Sequence, residues 1–405
     1  MITKILIPIL LAIVLPDIYL YRRFVRRCST ASRKRRRLVA IFAQSLLMLL
    51  FTVWLAASRE FAPRDFSVMN AYLLLLSLFL IPKAVFTVCS LAGHVCSRVS
   101  RALRRNDSRR AARNYGNILG LLLVFAVWYI VAYGVTAGFS SVNVRHVEYV
   151  SPSLPDAFDG YRIVHFSDAH VGTYGTGRQD ILSEFIDSIN AQKADAIVFT
   201  GDLQNREPSE IYPHVDLLSS LKAKDGVFSV LGNHDYANYI VASPSEKVAN
   251  ERETMRLERQ MGWRLLVNES STVRRGNDSI VIAGMANDGD GRHFPSLGDI
   301  GATLRTVRPG AFVVMLQHDP SSWRRTILPK SEAQLTLSGH THAMQFGLFG
   351  WSPASFVYDE WGGMYSEGRR AINVSIGMGG FIPFRFGMSG EIVVVELKKL
   401  KGETN

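Results

Sequence analysis

Residues able to hold divalent cations recur in five short clusters of the chain. Asp168 and His170 stand in SDAH, Asp202 in TGD, Asn233, His234 and Asp235 in GNHD, His318 in QHD, and His340 and His342 in LSGHTH. Each cluster alone is common by chance, and a lone histidine after a strand is usually structural. Together they supply imidazole nitrogens, carboxylates and one amide oxygen. That is the mixed set required by two cations about 3.5 to 4 Å apart, with one carboxylate bridging them. Asp202 is the expected bridge. Asp168 and His170, two apart on an extended chain, point to the same side and can grip one ion together. His340 and His342 either do likewise or divide between the ions. Asn233 offers a neutral oxygen, which limits negative charge and leaves the cations Lewis-acidic towards an anionic substrate. Gly201, Gly232 and Gly339 precede ligands and allow tight turns. No thiolate lies among these residues, so soft-metal chemistry is disfavoured. Two divalent ions are expected, manganese first, with iron, zinc and magnesium also compatible.

The elements that must carry these residues are legible as β-rich runs: RIVHFS, DAIVFTGD, VFSVLGN, IVIAGM, AFVVMLQH and QLTLSGH. Segments of helical period, such as RQDILSEFIDSIN and EKVANERETMRLERQM, separate several of them. This alternation predicts an α/β layered domain over 158–405, with the polar clusters at strand ends, where α/β sheets gather ligands. Residues 141–157, with Pro152 and Pro155, read as a linker. His165 inside a strand and His214 on a helical segment read as structural.

The region before the linker is of another kind. The chain has 405 residues, 47% of them hydrophobic, and a net charge of +11. Residues 1–113 hold 20 basic and 4 acidic side chains, a balance of +16, and the remainder 26 and 31, a balance of −5. A mildly acidic C-terminal part offers no basic groove, and no nucleic-acid motif appears. Four apolar stretches, Ile5 to Tyr21, Leu38 to Ser58, Ala71 to Gly93 and Asn117 to Phe139, are each about long enough to cross ~30 Å of hydrocarbon. They predict a four-helix transmembrane region over 1–140. Lys83 must snorkel or face the bundle interior. The loops YRRFVRRCSTASRKRRR and SRVSRALRRNDSRRAAR carry nine and seven basic residues against a single acid, Asp107. Both are expected on the cytoplasmic side, which delivers residues 141–405 to the extracytoplasmic face of a multi-pass cell-membrane protein. Cys28, Cys89 and Cys96 all lie in the helical region, so the C-terminal part has neither a disulfide nor a thiolate metal site.

The order D-x-H, G-D, G-N-H-D, H, G-H-x-H resembles the calcineurin-like metallophosphoesterases over about residues 160–400. The strings ADAIVFTGDL, GVFSVLGNHDY, VIAGMANDGDG, LSGHTH and NVSIGMGGFIPFRFGMSGEIVVVEL look like a membrane-associated branch that includes UDP-2,3-diacylglucosamine hydrolase-like proteins. The resemblance implies a four-layer αββα sandwich. It also implies one metal held by Asp168, His170, Asp202 and His342, and the other by Asp202, Asn233, His318 and His340. Metal-activated water would then attack phosphorus in line, His234 would stabilise or protonate the leaving oxygen, and Asp235 would orient His234. The chain departs from the branch's usual G-H-T-H-G-G-Q at Ala343 and Met344, which adds bulk beside His342.

The expected activity is hydrolysis of a phosphoester or pyrophosphate bond, in a phosphorylated lipid, a lipid-linked molecule or a small molecule. Met344, Phe346, Leu348, Phe349 and Trp351, with Phe381, Phe384 and Phe386 around Arg385, either pack in the core or rim the site. In the second case they accept a lipid tail while Arg385 holds a phosphate. Asp288, Asp290, Arg292 and His293 form a further rim or a solvated turn. A non-enzymatic membrane receptor or transporter with a metal-binding outer domain is the alternative, which an intact His234 argues against. A protein phosphatase is a third reading. Nucleotide-lipid intermediates of the resembled hydrolases are made on the cytoplasmic face, opposite to the side given by the basic loops.

Overall fold

The computed structural model describes residues 2–26, 28–57, 66–103, 114–175, 177–290 and 294–400. The chain divides into two compact units, Met1–Tyr133 and Gly134–Asn405.

The first unit is helical. Three described helices are long and apolar enough to cross a membrane: Ala31–Ala57, Ser67–Leu103 and Tyr115–Gly138. The first expected span is also a helix, Ile2–Leu20, with Pro8 and Pro16 inside it. Pro82 explains a widened π turn at Leu76–Leu80, because proline has no N–H to give the carbonyl four residues back. That carbonyl, on Leu78, accepts from Trp128 Nε1 of the neighbouring helix at 3.0 Å. Lys83 faces the bundle interior, where Nζ meets Asp17 Oδ1 at 2.6 Å and also Ser45 Oγ. In a hydrocarbon setting each of these charges needs such a partner. Most of the second basic loop, residues 104–113, lies outside the described residues.

Among its described residues the second unit has twelve strands: β1 Val142–Ser151, β2 Tyr161–Phe166, β3 Ala196–Phe199, β4 Val227–Ser229, β5 Arg264–Leu265, β6 Glu269–Arg275, β7 Asp278–Gly284, β8 Phe312–Leu316, β9 Leu335–Ser338, β10 Gly363–Glu367, β11 Arg370–Val374 and β12 Gly390–Lys399. They form two six-stranded sheets, ordered β1-β12-β2-β3-β4-β5 and β10-β11-β9-β8-β7-β6. Strands β2 to β5 run parallel, as do β7, β8, β9 and β11.

Side-chain alternation along each strand fixes the layers. Ile163, Val198, Phe228, Val393 and Val395 of one sheet meet Ile280, Ile282, Val314 and Leu337 of the other in a shared core. The opposite face of the first sheet, with Val164, Phe166, Ile197 and Phe199, packs on Leu182, Phe185, Ile186 and Ile189 of the helix Gln179–Ala191. The outer face of the second sheet, with Val281, Ala283, Val313 and Met315, packs on Trp323 and Ile327. The result is helix, sheet, sheet, helix, the αββα order expected. Burying each of these large apolar side chains contributes about 1.5 to 3 kcal/mol. Residues 141–157 do not form a free linker, since β1 occupies most of them and pairs in parallel with β12 from Val142 to Ser151.

Candidate metal centre

The carboxyl ends of β2, β3 and β4 in one sheet and of β8 and β9 in the other converge, so their five following loops meet. All seven expected ligands are there. Asp168, His170, Asp202 and His342 form one group whose donor atoms lie within 4.8 Å of one another, and Asp202, His318 and His340 form a second. Asp202 belongs to both. One of its oxygens makes the connection: Oδ2 lies 3.6 Å from His170 Nε2 of the first group and 3.3 Å from His318 Nε2 of the second. Its other oxygen, Oδ1, accepts from the His234 backbone N–H at 2.8 Å and is thereby held aside. Asn233 joins the second group through Oδ1, 3.1 Å from His318 Nε2. His340 and His342 divide between the groups.

The backbone around these ligands is unusual. Asp168, His170, Asp202, His340 and His342 all have positive φ, between 46° and 75°. Side chains other than glycine adopt that region at a cost, and such strain collects where function fixes geometry. Asp168 and His170 therefore do not share a face by strand alternation, as expected from the sequence. Strand β2 stops at Phe166, and two left-handed residues turn both side chains inward instead. Backbone also approaches the ligands closely. A Cβ on Gly339 would stand 2.3 Å from Asp168 Oδ2, and one on Gly232 would stand 2.2 Å from Asp202 Oδ1.

The donor set fits cations. His170 Nε2 and His342 Nε2 face each other at 3.3 Å, and His318 Nε2 and His340 Nδ1 at 3.2 Å, so ring nitrogens converge in pairs beside carboxylates. His318 donates Nδ1–H to Thr200 O at 2.7 Å, which leaves Nε2 available to ligate a cation. Tyr358 Oη contacts His340 Nε2 at 3.1 Å, which leaves Nδ1 available as a donor to a cation. The buried Nδ1 atoms of His170 and His342 have no partner among the described residues, and in both rings Nε2 faces the carboxylates. Burial lowers the pKa of His170, His340 and His342, the last to about 4, so these rings are neutral and ready to ligate. Burial opposes a charge on His318 too, but the Asp202 carboxylate beside it pushes it up to about 10. For Asp202 burial works against ionisation, yet His318 beside it holds its carboxyl well below the usual range.

Two expected roles are corrected. Asp235 does not orient His234. Its Oδ2 accepts from Asp202 N and Gly232 N, both at 2.8 Å, and its Oδ1 from Leu203 N at 3.0 Å and Gln204 N at 3.3 Å. A single buried carboxylate thus ties the Asp202 loop to the Asn233 loop. The His234 ring is oriented instead by Asn205 O, 2.6 Å from Nδ1, and by Tyr239, stacked at 4.1 Å between centroids. Arg385 does not face substrate. It is fully buried, and its guanidinium donates to the carbonyls of Ile376, Gly377, Gly379, Met388 and Ser389. In the sequence Arg385 stands among aromatics, whereas in the fold five carbonyls surround it.

Neighbouring expectations resolve similarly. Asp288 is buried and accepts from Ser296, Ser322 and Thr326, so it is structural, while Arg292 and His293 lie outside the described residues. His165 is buried against Thr200 Oγ1 at 2.9 Å, and His214 is buried as well. Met344, Leu348, Phe349 and Trp351 are exposed rather than packed in the core. Ala343 and Met344 both have positive φ, 48° and 50°, the backbone that glycine would adopt without strain. Asn205, Tyr239 and Tyr358 were not singled out from the sequence, which carries no spacing signal for them.

Two ligand groups joined through one aspartate, at the strand ends of an αββα sandwich, define a dinuclear metal-dependent phosphoester hydrolase. The chain belongs to the calcineurin-like phosphoesterase family, whose profile matches residues 161–344. Residues 3–139 match a second profile, described as a probable calcineurin-like phosphoesterase, transmembrane domain, so the protein is a membrane protein. It is 27% identical over 413 residues to the "Transmembrane protein with metallophosphoesterase domain" of Danio rerio, covering 96% of this chain and 87% of that protein. It is 32% identical to the uncharacterized metallophosphoesterase YkuE of Bacillus subtilis, over 61% of this chain and 82% of that protein. The UDP-2,3-diacylglucosamine pyrophosphatase LpxG of Chlamydia trachomatis is 25% identical over 62% of this chain and 89% of its own length.

Proposed function

We propose that this membrane metallophosphoesterase hydrolyses a phosphoester or pyrophosphate bond of a lipid or lipid-linked substrate, at the extracytoplasmic face. The observation that carries the hydrolytic reading is the position of Asp202 Oδ2 between His170 and His318, which puts one carboxylate within reach of both candidate ligand groups. Asp168, His170, Asp202 and His342 would hold one cation, and Asp202, Asn233, His318 and His340 the other. Manganese is our choice for both, from the mixed oxygen and imidazole donors. When bound, two such cations supply Lewis acidity towards a phosphoryl group and make water a stronger nucleophile.

The chain's own residues do the rest. Neutral Asn233 and two carboxylates leave the pair of divalent ions with a formal surplus of positive charge, suited to an anionic phosphate. His234 sits beside the cage, its ring centroid 4.7 Å from that of His170. Asn205 O accepts a hydrogen bond from Nδ1–H, so Nε2 is the nitrogen that can present a proton to a leaving oxygen. Tyr239 covers one face of the ring and donates no freedom to it, which holds the imidazole in one plane.

Support for a lipid substrate comes from the spans in the same chain, from the exposed apolar residues beside His342, and from the named activity of the Chlamydia trachomatis relative. Support for the outward orientation comes from the two arginine-rich loops, which are costly to translocate. The test is to incubate purified full-length protein and Mn²⁺ with a membrane lipid extract and with an aryl phosphate ester. Mass spectrometry then compares wild type with Asp202→Asn. Phosphate loss from a lipid species in the wild type alone is expected. Hydrolysis of the aryl ester without any change in the lipids would remove the lipid reading, and no hydrolysis of either would remove the enzyme.

A further inference from the structure

We propose that the segment from Met344 to Tyr358 is a lip that docks into the interfacial layer of the bilayer, and so opens the metal centre towards lipid rather than bulk water. These fifteen residues contain no Asp, Glu, Lys or Arg. They are also unusually exposed for their chemistry. Phe349 is 99% exposed and Phe356 82%, with Leu348, Trp351, Val357 and Met344 exposed around them. Among the described residues of the second unit the other exposed large apolar side chains, such as Val150, Tyr212 and Leu297, are scattered along the sequence. Single exposed apolar residues are ordinary, whereas a contiguous uncharged patch marks an interaction surface. Trp351 and Phe356 pack edge to face at 5.4 Å, so the patch has its own shape and is not a loose tail.

What covers the patch follows from where it is anchored. Gly134–Gly138 is the final turn of the apolar span Tyr115–Gly138. Gly134 O accepts from Arg385 N at 2.9 Å, and the Phe384 ring lies against Gly134, where a Cβ would collide with it. The next residue, Phe386, donates its N–H to Gln345 O at 3.0 Å and accepts from Gly347 N at 2.7 Å. The lip is therefore two hydrogen-bonded steps from the end of a membrane span. Its other attachments reach the metal ligands: Ser352 Oγ donates to Ala343 O at 2.6 Å, and Tyr358 Oη contacts His340 Nε2. Aromatic and aliphatic side chains without charge, placed where a span leaves hydrocarbon, match the interfacial belt that Trp and Phe occupy. A lip that reaches from this belt to His340 and His342 gives a membrane-embedded phosphoester a path to the ligands without leaving the bilayer. That last step rests on the lipid substrate proposed above; the docking itself does not.

The test uses full-length protein in which Cys28, Cys89 and Cys96, the free cysteines, are replaced by serine. A single cysteine is placed by Phe349→Cys and, in a second protein, by Val150→Cys near the far end of β1. Over a strand, eight residues from Val142 correspond to roughly 26 Å. Each is labelled with an environment-sensitive fluorophore and reconstituted into phosphatidylcholine–phosphatidylglycerol vesicles. The label at 349 is expected to shift to the blue and to be quenched at least twofold more strongly by nitroxide-labelled lipid than the label at 150, which aqueous iodide should reach. Equal quenching at both positions would overturn the proposal. So would a blue shift at 349 that follows the protein-to-lipid ratio, since a second copy of the chain would then be covering the patch. The readout needs no substrate, so an inactive protein still decides the question.

Discussion

The Asp235 carboxylate accepts a hydrogen bond from the backbone N–H of Asp202 at 2.8 Å, and through the same oxygen from Gly232 N. The residue shared by the two ligand groups is thus held from below, through its backbone, by a second carboxylate that belongs to neither group. Asp202 has positive φ, 61°, and Asp235 supplies the acceptors that hold this strained turn in place.

Asp235→Asn should therefore weaken the metal site rather than the chemistry. An amide presents an N–H₂ to backbone N–H groups, so about half of the four hydrogen bonds are lost, and neighbours of metal ligands cost about 10 to 100-fold in affinity when mutated. Metal titration followed by calorimetry is expected to show that loss. Unchanged metal affinity with a fall in kcat alone would return Asp235 to the role of orienting His234.

His234→Ala should leave metal content as it is and slow turnover about 10² to 10⁴-fold for substrates with a poor leaving group. Esters of good leaving groups, which need no proton, should suffer much less. Comparing alkyl with nitrophenyl esters gives the measurement, and the same rate loss for both would take the leaving-group role from His234.

Arg385→Ala should unfold the C-terminal unit rather than raise KM. Its guanidinium serves five carbonyls in the dry interior, and burial lowers its pKa to about 10. Hydrogen bonds to charged groups contribute about 1.5 to 3 kcal/mol each, so the loss should exceed about 4 kcal/mol. Arg385→Lys, which keeps the charge but not the fork, should fall between the two. Thermal unfolding measures the effect; a wild-type Tm with a raised KM would restore a substrate role.

Stability should also decline as pH rises towards neutrality, in part through Glu210. Its Oε2 accepts from Asn205 N at 2.6 Å, and Asn205 in turn fixes His234. Burial pushes the Glu210 carboxyl from 4.5 up to about 7, so the folded chain holds a proton that the unfolded chain releases. The contribution is fully present below about pH 4.5 and is lost as pH rises through about 7. Glu210→Gln should reduce the fall in Tm between pH 5 and 7, and an unchanged slope would assign the decline to other groups.

The candidate ligand types, the α/β alternation and the apolar spans are readable in the chain alone, whereas the four-layer order follows from the family resemblance. Asp168, Asp202, Asn233, His318 and the His340–His342 pair stand directly after β-rich runs, and a run's end is visible because apolar periodicity stops there. The length of the apolar runs marks the four candidate spans and places Lys83 inside one of them. What those residues do to one another depends on the packing of the fold. That Asp202 Oδ2 faces both His170 and His318, that Asp235 holds the Asp202 loop, and that Lys83 finds Asp17 are contacts between residues distant in sequence. Arg385 makes the difference plain. Its neighbours in the chain are aromatic and suggested a binding rim, while its neighbours in space are carbonyls that no side-chain pattern records. Local spacing reports which face a residue takes on its own element; hydrogen-bond partners are set by how loops from two separate sheets come together.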